Sequence, residues 1–274
     1  MARGTGYALR LLAAAAQIDP KELNSSQRYD WGEQLFSLFV DDAKLSEWGR
    51  SYFSEADFLS DYERFEQRNY RSFDRKFALK ELAKIALKRP GDLAECGVFR
   101  GASAFLMAKA ARAMGADKKI HLFDSFCGLS EPAGVDGDYW RQGALSCSQR
   151  EVGENLAPFG DRFVFHPGWI PSRFADVADR RFCLVHIDVD LFQPTWDSLE
   201  FFYPRMTAGG VIVCDDYGFQ TCPGARKAVD EFFADKAERP IHLPTGQGMV
   251  LVEEASPTSS TQYVPTGPTR RSTG

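Results

Sequence analysis

The chain has 274 residues, 38 acidic against 33 basic side chains, a net charge of −5 and 44% apolar residues. That length holds one large domain with an attached segment. The acidic balance, with Lys and Arg scattered rather than clustered, argues against nucleic acid as a partner. Cys96, Cys127, Cys147, Cys183, Cys214 and Cys222 form no Cys-x-x-Cys pair and read as reduced thiols of an intracellular, cytoplasmic protein. No apolar run approaches the roughly 18 residues of a membrane span, so a soluble protein without a membrane partner is expected.

Residues 1–16 contain a short LLAAAA run directly behind Arg10, which breaks the apolar stretch; it is too brief for a signal peptide and is read as a frayed helix start. From Asn24 to Phe77 polar and aromatic residues alternate, among them Trp31, Phe36, Trp48, Tyr52, Phe58, Tyr62, Phe65, Tyr70 and Phe73. Short amphipathic helices are expected there, and three uses are open to their aromatic faces: packing on the main domain, a contact in a homo-oligomer (dimer or higher), or a cover over a substrate pocket. Leu79, Leu82, Ala83 and Ala86 mark a clearer helix that Pro90 and Gly91 stop.

Residues 92–98 (DLAECGV) predict a strand that passes through Gly97 and Gly101 into an Ala-rich helix reaching Met114. Such a strand, glycine turn and helix let backbone approach a nucleotide-type ligand. Phe99 breaks the GxGxxG pattern, and Glu95 would repel a pyrophosphate while suiting an ammonium group, which points from dinucleotides toward S-adenosylmethionine. Lys119–Phe123 predicts the next strand, and Asp124-Ser125 behind it forms either a ribose-hydroxyl acceptor or an ordinary turn. Residues 127–149, rich in Gly, Ser and Asp with Tyr139 and Trp140, read as a long functional loop of the lid type. Arg162–Phe165 predicts a third strand. Gly168-Trp169 beyond it offers an indole to an adenine ring or to the core, and His166 is a pocket donor or a turn residue.

Two apolar runs follow that end abruptly in acids: 182–190 (FCLVHIDVD) and 209–217 (GGVIVCDDY). Each has the look of a buried parallel strand at its exit from a sheet, where ligands of open α/β sheets bind. If the strands are neighbours, Asp188, Asp190, Asp215 and Asp216 converge, and a hard divalent cation, Mg2+ or Mn2+, relieves their repulsion. A single Asp after a strand is commonly a helix cap, so the signal lies in both strands ending in paired acids. His186 is either a support for this cluster or a core histidine. Helices over 195–203 and 225–233, a closing antiparallel hairpin (241–243 with 249–252) and a disordered Ser/Thr/Pro/Gly tail from 254 to 274 complete the chain.

The segments ECGVFRGAS (95–103), LFDSFCGL (122–129), HIDVDL (186–191), DDYG (215–218) and CPGARKAVDEF (222–232) together resemble the macrocin O-methyltransferase (TylF-like) family over roughly 79–252. The resemblance implies a Rossmann-like class I methyltransferase fold: a seven-stranded, mostly parallel sheet flanked by helices, over 77–253, with an N-terminal helical extension over 1–76. It also implies S-adenosylmethionine and magnesium-dependent methylation of a hydroxyl, typically on a deoxysugar of a natural product such as an antibiotic. By position, Asp188, Asp215 and Asp216 match metal ligands and Asp190 the base. Glu95, Gly97, Gly101 and Ser103 match the surroundings of the methionine part, Asp124 and Ser125 the ribose turn, Gly168 and Trp169 the adenine border. Phe192 stands where the family often has Tyr, and Cys127 where it often has Glu.

On this reading a metal and Asp190 activate a small-molecule hydroxyl, with a vicinal diol well suited to two open metal positions. A catechol- or phenol-type methyltransferase differs only in its acceptor. A metal-dependent hydrolase leaves Glu95, Gly97, Gly101 and Asp124 without a use, and a nucleoside-binding module leaves the four acids idle.

Overall fold

The computed structural model describes residues 5–19, 21–39, 55–66 and 72–253. The expected tail over 254–274, together with Trp48, Tyr52, Phe53 and Tyr70 of the aromatic segment, lies outside the described residues. The chain divides into two units, Met1–Glu55 and Ala56–Gly274. In the first, α1 (Thr5–Ala15) is followed by α2 (Ser25–Phe36), which starts on a reciprocal capping box between Asn24 and Gln27. No helix among the described residues is long and apolar enough to cross a membrane.

The second unit opens with α3 (Ala56–Glu66) and α4 (Phe73–Ala86). Phe58, Tyr62 and Phe65 of α3 are buried, Phe58 and Tyr62 with ring centroids 4.9 and 5.0 Å from Phe73. Strands β1 (Asp92–Cys96), β2 (Ile120–Asp124), β3 (Phe163–Pro167), β4 (Phe182–Ile187), β5 (Met206–Cys214), β6 (Ile241–His242) and β7 (Gly248–Val252) form one sheet in the order β3-β2-β1-β4-β5-β7-β6. The five strands from β3 to β5 run parallel, while β7 is antiparallel to both β5 and β6. The remaining helices are α5 (Ala102–Ala113), α6 (Gln149–Leu156), α7 (Phe192–Phe202) and α8 (Pro223–Phe232).

Continuous apolar strands are required because both faces of the sheet are covered. Side chains of a strand alternate between the faces. Leu93, Leu184, Val211 and Val213 accordingly pack with Leu79 and Ala83 of α4 and Met107 and Ala111 of α5. Ala94, Val185, Ile212 and Cys214 pack on the other side with Leu199 and Phe202 of α7 and Val229 of α8. Each such fully buried Leu, Ile, Val or Phe contributes about 1.5–3 kcal/mol of transfer free energy. The small residues of α5 let it lie close to the sheet, which fixes the turn between β1 and α5 at the sheet's carboxyl edge.

Strand order reverses direction beside β1, whose neighbours are β2 and β4. The exits of β1 and β4 therefore border the crevice where ligands of open α/β sheets bind. Register places Glu95 opposite His186, and Ile187 opposite Cys214, so Asp188 and Asp215 leave the sheet side by side.

Candidate active site

A cavity of about 560 Å³ opens at this edge, between the β1 and β2 exits on one side and the β4 and β5 exits on the other. Gly97 turns the chain out of β1 with φ of 82°, and Gly101 precedes α5 with φ of 90°. Asp124 ends β2 and fastens this turn: its Oδ2 accepts hydrogen bonds from Val98 N (2.7 Å) and Phe99 N (3.2 Å), its Oδ1 from Phe126 N (2.7 Å). Ser125 Oγ donates to Gly128 O and accepts from Cys127 N. Three non-glycine residues that line the cavity, Phe99, Leu145 and Asp190, adopt left-handed backbone conformations with φ of 47°, 60° and 59°. Such strain clusters at binding and catalytic sites, held in place by the surrounding fold.

The acids at the β4 and β5 exits lie in two groups. Donor atoms of His186, Asp188 and Asp215 fall within 4.8 Å of one another, as do those of Asp190, Asp216 and Cys222. Asp216 Oδ2 accepts from Asp190 N (2.9 Å), and Cys222 Sγ donates to Asp190 Oδ1 (3.5 Å). Burial, then the neighbouring Asp188, pushes the Asp190 carboxyl up to about 7. Burial and the charges of Asp190 and Asp188 likewise hold Asp216 well above the ordinary carboxylate range.

Asp215 has the opposite surroundings. It is fully buried, and its oxygens accept from Arg75, from Gln247 Nε2 (2.8 Å) and from His186 Nε2 (3.2 Å). Burial alone acts to raise its pKa, but Arg75, His186 and Lys76 outweigh it and hold the carboxyl below its ordinary range. The other nitrogen of His186 meets Glu95 Oε1 at 3.0 Å. Burial opposes the imidazolium, yet Asp215 and Glu95 raise His186 to about 9. His186 is thus a bridge between two buried carboxylates.

Gly97, Ser103, Asp124, Ser125 and Trp169 line the cavity, and so do Asp188, Asp190 and Asp216. Gly101 and Gly168 support its turns without lining it, Asp215 lies behind it, and Glu95 is buried on His186 instead of facing an open ammonium seat. Glu95 Oε2 has no hydrogen-bond partner among the described residues. His166 is likewise interior, with Nε2 3.0 Å from His121 Nδ1 and Nδ1 2.9 Å from Asp176.

Sequence reasoning missed two cavity residues on α4. Arg75 pairs with Asp215 and lies 4.7 Å from the Phe219 ring centroid. Lys76 is buried, donates to Ser103 Oγ at 2.6 Å and pairs with Asp188 at 3.5 Å. A signal for Lys76 exists: the buried stripe of α4 is Phe73, Lys76, Leu79, Ala83 and Ala86, so a lysine occupies an apolar position of the helical repeat. The 127–149 loop is tied down by buried Asp136, which accepts from Phe192 N at the start of α7 (2.7 Å) and from Ala133 N (2.8 Å).

The donor set suits a hard cation in type, since Asp188, Asp190 and Asp216 offer carboxylate oxygens toward the cavity. Asp215 would join only on release of Arg75. The cavity's size and the glycine turn at its wall suit a ligand of nucleoside dimensions.

Residues 77–246 match the model of the family described as macrocin-O-methyltransferase (TylF). Demethyldecarbamoylnovobiocin O-methyltransferase of Streptomyces niveus is 33% identical over 156 residues, covering 53% of this chain and 59% of that protein. The 8-demethyl-8-(2,3-dimethoxy-alpha-L-rhamnosyl)-tetracenomycin-C 4'-O-methyltransferase of Streptomyces olivaceus is 32% identical over 155 residues, covering 52% and 58%. The matched region therefore spans a little under 60% of these relatives. Among solved structures, the O-methyltransferase NovP is similar at a TM-score of 0.56 with 28% identity, over 66% of this chain and 80% of that one. The calicheamicin methyltransferase CalS11 gives 0.60 with 19% identity, over 85% and 93%, a likeness of fold.

Proposed function

Because the chain belongs to the macrocin-O-methyltransferase (TylF) family and has the class I methyltransferase fold, we propose that it methylates a hydroxyl of a natural product, using S-adenosylmethionine. The acceptor is a deoxysugar or a similar vicinal diol. The observation that carries the reading is that one cavity is lined both by the glycine turn with Asp124 and Trp169 and by Asp188, Asp190 and Asp216. A relative whose name specifies a rhamnosyl 4'-hydroxyl supports a sugar acceptor.

When bound, S-adenosylmethionine supplies a methyl group made electrophilic by its sulfonium. Trp169 would border the adenine, Asp124 and Ser125 the ribose, and Gly97, Gly101 and Ser103 the methionine end, with Glu95 behind them on His186. Asp190 would accept the proton of the acceptor hydroxyl, whose oxygen takes the methyl group while the carbon–sulfur electron pair stays on sulfur. Asp188 and Asp216, with Asp215 once Arg75 releases it, would hold Mg2+ or Mn2+, which would make the acceptor hydroxyl more acidic. Because the reaction discharges a sulfonium, positioning and deprotonation dominate over stabilising new charge.

The test is incubation of purified protein with S-adenosylmethionine, a panel of deoxysugar glycosides and simple catechols, and Mg2+ or a chelator, reading S-adenosylhomocysteine release. Turnover on vicinal-diol sugars that the chelator abolishes is expected. Turnover on catechols alone would replace the acceptor class, full activity in chelator would remove the metal, and no turnover or cofactor binding in any condition would remove the methyltransferase reading.

A further inference from the structure

Three cations line the cavity among the described residues: Arg75, Lys76 and Arg100. Arg75 pairs with Asp215 and lies against the Phe219 ring, its buried Nε without a partner among the described residues. Arg100 is half-buried, beside the Phe99 ring and the Phe65 carbonyl. Lys76 differs from both. It is 7% exposed, and two of its three N–H groups have partners, Ser103 Oγ and Asp188 Oδ2. Ser103 accepts that bond, so its own hydroxyl hydrogen remains available to donate.

Ser103 also stands in the first turn of α5, which follows Gly101 without any side-chain cap. Amides of an uncapped first turn and the helix dipole favour negative charge. Lys76, Ser103 and this turn together form a compact cationic and donor-rich corner in a cavity whose lining acids are Asp124, Asp188, Asp190 and Asp216. An anion entering the cavity is repelled by whichever of those acids is ionised and attracted at this corner.

Resting on the reading that the cavity takes S-adenosylmethionine, we propose that Lys76 and Ser103 hold the carboxylate of its methionine part. That carboxylate is the cofactor's one anionic group. Lys76 is then a binding residue supplied by the helix before β1, outside the glycine turn. Its ion pair with Asp188 gives it a second role, because one ammonium neutralises an acid of the candidate metal group while it fixes the tail of the cofactor.

The test is calorimetric titration of the whole chain with S-adenosylhomocysteine and with its decarboxylated analogue, which keeps the amine. The wild-type affinity ratio of the two should fall about 10- to 100-fold in Lys76→Met, the range of a hydrogen bond to a charged group. Ser103→Ala, a small change at a buried site, should lower the ratio in the same direction by a smaller factor, and it decides the matter if Lys76→Met does not fold. A general structural defect would weaken both ligands alike and leave the ratio unchanged, which overturns the proposal. Binding of neither ligand by the wild type removes the S-adenosylmethionine reading itself, an outcome distinct from an unchanged ratio.

Discussion

Gly97 lies so close to Asp188 that a Cβ on the glycine would stand 1.8 Å from the Asp188 carbonyl oxygen. The contact joins the exits of β1 and β4. Gly97→Ala must separate the strands there and also hold alanine at φ of 82°. Overpacking and the left-handed conformation together cost about 2–5 kcal/mol. A loss of several degrees in Tm and at least tenfold weaker S-adenosylhomocysteine binding are expected; unchanged values of both in thermal melts and calorimetry would refute the contact.

Asp190→Asn keeps the size of the side chain and removes the proposed proton acceptor. Turnover should fall about 10²- to 10⁴-fold, the usual worth of a general base. Affinity for S-adenosylhomocysteine should change little. Single-turnover methyl transfer at the wild-type rate would exclude Asp190 as the base.

Asp136 carries the long loop onto α7, and Gly224 leaves it room: a Cβ at Gly224 would come within 1.9 Å of Asp136 Oδ1. Asp136→Ala leaves the Phe192 amide without its acceptor, a cost of about 1–3 kcal/mol. Hydrogen exchange should accelerate at Phe192 and across 127–148, with Asp136→Asn milder. Equal protection in wild type and Asp136→Ala would show that the loop is held by other contacts.

His166 gives the second unit a pH dependence away from the acid cluster. Burial lowers its pKa, only partly opposed by Asp176, while His121 and Arg173 act with burial. A histidine depressed in the fold favours its neutral form, so its stabilising contribution is full above the unfolded value of about 6.5 and is lost as pH falls below that value. Between pH 7.5 and 5.5, Tm should fall more steeply in the wild type than in His166→Gln. Parallel profiles would contradict this assignment.

The sheet and the acid exits were legible because a strand buried on both faces leaves a plain trace, an apolar run cut off by polar residues. Gly97 and Asp124 were legible for a similar local reason, as a turn and a strand end. Lys76 and Arg75 were not, since adjacent cations on a helix ordinarily point to water, and their partners Ser103, Asp188 and Asp215 stand 27, 112 and 140 positions away. The pairing of Glu95 with His186 was hidden likewise: it depends on β1 and β4 being neighbours in register, which no local pattern encodes. Asp136 looked like one more loop acid until the fold brought it to α7.

Phe99 and Leu145, bulky residues in left-handed backbone at the cavity wall, set heat tolerance against function. Each such conformation costs about 1–3 kcal/mol, which glycine avoids. Selection of variants for survival at high temperature alone should therefore enrich glycine at 99 and 145, and those survivors should be the ones whose pocket walls no longer hold their shape.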